Sequence, residues 1–216
     1  NDVDIISVNS NKKYNLKNKI KYFISKILKV NFIPKIIFLR NTLNLYSVIY
    51  DNFKVKYKNK IHHIPHHKSH IASAFYASGM EEALGLSFDA AGDFSTTETY
   101  LCNDKKNKLL DKVIFPHSLG IFYQAMTQFI GFKKYGEEFK FMGLAAYGKP
   151  KYVDEIRKLF KEDQNFLFSL DLKYFRHQKI GFSFNFDTPT PYFDNLYSRE
   201  LENLLGPGLN NPELIG

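Results

Sequence analysis

Residues 66–75, HHKSHIASAF, place three imidazoles within five positions. Pro65 precedes them and Gly79 closes the segment, so a helix is expected over His66–Ser78, with Pro65 at its first position and Gly79 at its end. On a helix, His66 and His70 share one face, with Cβ atoms about 5–6 Å apart. His67 then points elsewhere, as do His62 and His63. Two neutral imidazoles in that relation can share one divalent cation. The residue after His66 is His67, not Glu, so the HExxH pattern with its built-in general base is absent. A cation needs at least one further donor, commonly a carboxylate brought by another element. The competing reading is a surface turn with exposed or core-satisfied histidines.

Asp89 is the carboxylate that the pattern offers. It ends the apolar run ALGLSF at 83–88, and ligands of α/β domains bind at such strand ends. In DAAGD, the Gly92 backbone can approach a phosphate closely because no Cβ intervenes. Asp93 follows, and Ser95, Thr96 and Thr97 add hydroxyl donors. Such a stretch can hold a nucleotide phosphate together with a metal. Asp and Gly equally favour a plain polar hairpin turn. Further on, His117 and Ser118 open a helix, whose N-terminus attracts anions. Lys140 and Gly143 lie in EEFKFMGLAAYGKP, which offers a cation and a small-residue stretch for close approach. Capping and packing explain these last residues equally well. Neither GxxxxGK[ST] nor GxGxxG occurs.

The elements around these residues form a mixed pattern. Residues 3–8 read as a short strand. Ile20, Phe23, Ile24, Ile27 and Leu28 recur at helical spacing, and Pro34 separates that helix from a second. The apolar face of this pair is expected to pack on the domain rather than lie on a membrane surface. A strand is expected over 54–64. Residues 83–88, STTETYLC and KLLDKVIF read as an antiparallel meander whose first turn is DAAGD. Ser118 caps a helix stopped by Gly131, and a helix over 137–147 ends at Gly148. YVDEIRKLFK and YFDNLYSRELENLL read as helices, and 164–192 as strands. The fold class is α/β, a mixed sheet with flanking helices.

Composition bounds the rest. The chain has 216 residues, 44% hydrophobic and 16% aromatic, enough for a sizeable core. One cysteine, Cys102, excludes an internal disulfide framework, and no CxxC pair exists for a thiolate zinc site. A reducing, cytoplasmic setting and no membrane span are expected. The net charge of +8 is uneven, since residues 1–60 carry 13 Lys/Arg against 3 Asp/Glu. That arm suits a nucleic acid, an anionic lipid or a solvated surface. No RNP1-like motif or zinc finger supports the first, and nucleic acid is not expected as a partner. A start at Asn1 and an end at ELIG suggest part of a longer protein.

Four segments together, HHKSHIASAFYASG, LGLSFDAAGDFSTTE, FPHSLGIFYQAMTQFIGF and EEFKFMGLAAYGKPKY, resemble in order and spacing the O-carbamoyltransferases. That family includes nodulation protein NodU and the antibiotic-modifying carbamoyltransferases. The resemblance implies an actin-like ATPase fold of the ribonuclease-H-like kind. It implies that a separate YrdC-like domain makes carbamoyl-adenylate from carbamoyl phosphate and ATP. The actin-like domain would then pass the carbamoyl group to a hydroxyl of a small-molecule acceptor. His66, His70 and Asp89 are then the implied ligands of a divalent metal, iron or zinc. Asp89, Gly92, Asp93, Thr96, Lys140 and Gly143 are the implied nucleotide-site residues. Ala90 stands where the family has Gly, and Asp93 where it has Glu. The expected organisation is a basic strand-helix region at 1–60, the motif region at 61–152, and a continuation at 153–216, all of one domain and without the YrdC-like domain. The alternatives are a threonylcarbamoyl-transferring tRNA-modification protein and a non-catalytic binding module of the same fold.

Overall fold

The computed structural model describes residues 5–27, 61–161, 167–180, 184–185 and 192–209. The chain divides into two compact units, Asn1–Met80 with Gly92–Phe94, and Glu81–Ala91 with Ser95–Gly216.

In the first unit, β1 (Ile6–Val8) pairs in parallel with β2 (Ile61–His63), Ser7 opposite His62. Helix α1 (Leu16–Ile27) begins after Asn15, whose φ of 56° is one that Asn tolerates. Its orientation departs from the expected one. Leu16, Ile20 and Ile24 are exposed, whereas Lys19, Tyr22 and Phe23 are half-buried. The reason is a partner that periodicity does not reveal. The Tyr22 ring meets Phe94 edge-on at 5.4 Å between centroids, and Lys19 Nζ donates to Lys12 O at 3.0 Å. Burial pushes the Tyr22 phenol up to about 12. Burial also lowers the Lys19 ammonium, an effect that nearby Asp93 opposes. The second helix expected after Pro34 and the start of the strand over 54–64 lie outside the described residues.

Helix α2 (His66–Ser78) has the expected bounds, with Pro65 one place earlier, at the N-cap, and Gly79 left-handed at φ 71°. His67, Ile71 and Phe75 form its buried stripe, four residues apart. The positions one residue before His67 and Ile71, namely His66 and His70, therefore lie beside the buried stripe.

In the second unit, β3 (Glu82–Gly92), β4 (Ser95–Asn103) and β5 (Asn107–Ile114) form a three-stranded sheet in that order. β4 and β5 are antiparallel, with Glu98 opposite Lys112. The central strand β4 is buried along most of its length. Glu98 is fully buried there, accepting from Ser95 Oγ and Tyr100 Oη, each at 2.6 Å. Cys102 is also fully buried, which pushes its thiol up. The expected turn at DAAGD moves. β3 runs through Gly92, and Asp93 and Phe94 form the connection, with φ of 51° and 74°. Two positive φ angles mark the two-residue hairpin turn that matches strand twist.

Helix α3 (Leu119–Phe129) places Ile121, Ala125, Met126 and Phe129 in the core with Leu159, Leu170, Phe175, Leu196 and Leu201. Its buried Gln128 accepts from Leu196 N at 2.9 Å and donates to Asp194 O at 3.2 Å, so the segment at 194–196 closes on this helix. α4 (Glu138–Ala145) is shorter than expected and α5 (Val153–Arg157) has only five residues. The rest is built of two-residue strands, β6 (Phe160–Lys161) with β7 (Ser169–Leu170) and β8 (Phe184–Asn185) with β9 (Tyr192–Phe193), and short helices α6 (His177–Ile180) and α7 (Arg199–Leu205). Among the described residues the strands fall into four small sheets rather than one mixed sheet, with β1 parallel to β2 and the pairs β4–β5, β6–β7 and β8–β9 antiparallel. No helix of the described residues is long and apolar enough to cross a membrane.

Candidate functional site

α2 brings His66 Nε2 and His70 Nε2 to 3.0 Å, with ring centroids 4.6 Å apart and planes at 76°. At that separation one ring can donate to the other, or both lone pairs can meet one cation. With metal–nitrogen bonds of about 2.0–2.1 Å, two imidazoles on adjacent ligand positions lie about 3 Å apart. The pair therefore has the spacing that a shared cation requires.

The hairpin holds this pair in place. Gly92 touches the His66 ring so closely that a Cβ there would lie 2.0 Å from His66 Cδ2. Next to it, Asp93 caps α2 from outside the helix, because Pro65 offers no side-chain cap. Asp93 Oδ2 accepts from His66 N at 2.9 Å and Asn11 N at 2.8 Å, and Oδ1 accepts from Ser10 Oγ at 3.1 Å. Asn15 Nδ2 donates to Asp93 O at 3.2 Å. Of the eight residues that the sequence singles out, His66, His70, Gly92 and Asp93 thus come together in this unit. A carboxylate that joins three donors is expected to matter to folding. Asp93→Ala should lower stability by about 2–3 kcal/mol in chemical denaturation, and Asp93→Asn by less, since an amide oxygen still accepts.

Asp89 and Thr96 belong to the second unit and are linked there through the start of α3. Asp89 Oδ1 accepts from Ala90 N at 2.6 Å, and Asp89 O accepts from Ser118 Oγ at 2.9 Å. Thr96 is fully buried, and its single hydroxyl proton goes to His117 O, with Val113 O 3.3 Å away. His117 Nδ1 accepts from Leu170 N at 3.1 Å, which leaves the ring proton on Nε2 in the neutral form. Gly120 packs its Cα on the Asp89–Ala90 peptide, where a Cβ would lie 2.6 Å from Ala90 N. Sequence reasoning read Ser118 as a helix cap and did not see this second bond. The signal was the nearness in sequence of Ser118 and Gly120, a donor and a gap on one helix start.

Lys140 and Gly143 sit on α4, which has no buried residue. Lys140 Nζ donates to Glu137 Oε1 at 2.8 Å and lies 5.5 Å from the Phe132 ring centre. Burial alone would raise the Glu137 carboxyl, but Lys140 and the Lys134 backbone N–H hold it below its ordinary value. A Cβ on Gly143 would meet nothing within 4 Å, so its backbone faces open space.

Residues 7–195 match the family model described as carbamoyltransferase N-terminus. The Synechocystis sp. protein sll1178 is 44% identical over 115 residues, 52% of this chain and 18% of that protein. Nodulation protein NolNO of Sinorhizobium fredii is 36% identical over 104 residues, 48% of this chain and 15% of that protein. The Methanocaldococcus jannaschii protein MJ1058 is 30% identical over 171 residues, 69% of this chain and 27% of that protein. The chain spans between 15% and 27% of the length of these three relatives.

Proposed function

The chain belongs to the carbamoyltransferase family, through its match to the family's N-terminal domain, and from that premise we propose that it forms part of an O-carbamoyltransferase site. The group transferred is a carbamoyl from carbamoyl-adenylate, and the acceptor is a hydroxyl of a small molecule. The adenylate comes from carbamoyl phosphate and ATP at a YrdC-like domain, and the fold around the site is of the actin-like ATPase type. The observation that carries this reading is the His66–His70 pair, 3.0 Å apart and braced by Gly92 and Asp93.

His66, His70 and Asp89 are the residues that would hold the metal. Two imidazoles and a carboxylate are a donor set that suits iron or zinc. Asp89 lies on β3, three residues before the glycine that packs on the His66 ring. The bound cation would supply Lewis acidity toward the carbamoyl carbonyl and the phosphate oxygens. This chain's own residues orient that chemistry. Asp93 fixes the start of α2, so that both Nε2 atoms keep one direction. Thr96 and Ser118 hold the strand ends and the helix start together at Asp89. Lys140 offers positive charge, and the open backbone at Gly143 offers close approach, to a phosphate. Preorganised charge of this kind is commonly the largest contribution to acyl transfer.

The test uses the complete protein with carbamoyl phosphate, ATP and a panel of small polyols. A carbamoylated hydroxyl product is expected, and the 216-residue chain alone should form none. Product from this chain alone, or salt-sensitive tRNA binding with no small-molecule product, would contradict the reading.

A further inference from the structure

We infer that Ser118 is a positioning residue for Asp89, a role that rests on the reading of Asp89 as a metal-binding carboxylate. Ser118 is fully buried. A serine hydroxyl has one proton to donate and two lone pairs to accept with. At the N-cap it accepts from Ile121 N at 3.1 Å, which is all that capping requires. Its single proton goes to Asp89 O at 2.9 Å, on strand β3.

That carbonyl is one end of the peptide between Asp89 and Ala90, which is a rigid plane. The other end of the same plane, Ala90 N–H, donates to Asp89 Oδ1 at 2.6 Å. The helix start therefore grips the oxygen of a plane whose N–H orients the carboxylate. Gly120 presses on the same plane, with no room for a Cβ against Asp89 C, Asp89 O or Ala90 N. Rotation of the peptide would break the Ser118 bond and turn the carboxylate at once. Ser118 thus sets the direction of Asp89 without touching the metal.

The experiment titrates Co²⁺ alone into the complete protein and follows both affinity and the visible absorption band. Asp89→Asn should weaken binding strongly. Ser118→Gly should weaken it about tenfold and shift the band, in the range seen for groups that support a metal ligand. Glycine is nearly as good an N-cap as serine, so the helix start is kept and the variant reads the loss of the bond to Asp89 O rather than the loss of a cap. Ser118→Thr, which keeps a hydroxyl, should restore affinity and spectrum. If Asp89→Asn weakens binding while Ser118→Gly matches the wild type, Asp89 stays a ligand and the positioning role falls. If Asp89→Asn itself binds Co²⁺ like the wild type, the ligand reading falls and this inference with it.

Discussion

Gly92→Ala is expected to abolish tight metal binding and to destabilise the protein by about 1–3 kcal/mol, the usual range for overpacking. The added methyl would lie 2.0 Å from His66 Cδ2, 2.3 Å from Cγ and 2.8 Å from Cβ. Because His66 Cβ itself is in the way, a rotation of the ring cannot relieve the clash. Either α2 moves off the hairpin, or the imidazole leaves its place beside His70. The first loses the Asp93 cap on His66 N, and the second loses the 3.0 Å pair. Gly92 does not have positive φ, so alanine meets no backbone strain there and the effect isolates the close approach. Thermal unfolding and Zn²⁺ titration read the two consequences separately. Wild-type affinity in this variant would mean that the ring does not rest on Gly92.

The second large effect concerns the pair itself. His66→Ala with His70→Ala should lower metal affinity by at least about a hundredfold, since two of the proposed ligands go at once. Stability without metal should change little. His70 is exposed and His66 only half-buried, while the stripe that anchors α2 is His67, Ile71 and Phe75. Surface substitutions commonly stay within about 0.5 kcal/mol, and the lost packing of the half-buried His66 ring on Gly92 adds modestly to that. Carbamoyl transfer by the complete protein should fall with the metal. Either single variant should lie between the wild type and the pair.

The strongest local signals in the sequence led to the right elements. Pro65 and Gly79 bracket α2 because proline fixes φ before the first turn and glycine takes the left-handed φ that ends the last, and Ser118 marks the start of α3 because its hydroxyl accepts from Ile121 N. The i, i+4 spacing of His66 and His70 became a 3.0 Å contact. Other features depend on partners distant in sequence. The turn moved from DAAGD to Asp93–Phe94 because positive φ is taken by an aspartate and a phenylalanine rather than by Gly92. Gly92 is a glycine for another reason, the His66 ring against its Cα. α1 turned its isoleucines outward because Tyr22 found Phe94, 72 positions away. Asp93 reads in sequence as a nucleotide-site residue, and its carboxylate oxygens accept from Ser10, Asn11 and the start of α2. The segment after 153 was the least legible, since its described strands are two residues long, too short to carry an alternating pattern.

The central claim is that His66 and His70 share a functional metal, and elemental analysis of the purified complete protein tests it most directly. The wild type and His62→Ala, an exposed histidine on the neighbouring strand β2, should each carry the same amount of bound transition metal after extensive dialysis. The variant with both His66→Ala and His70→Ala should carry almost none. Equal metal in all three proteins would contradict the account.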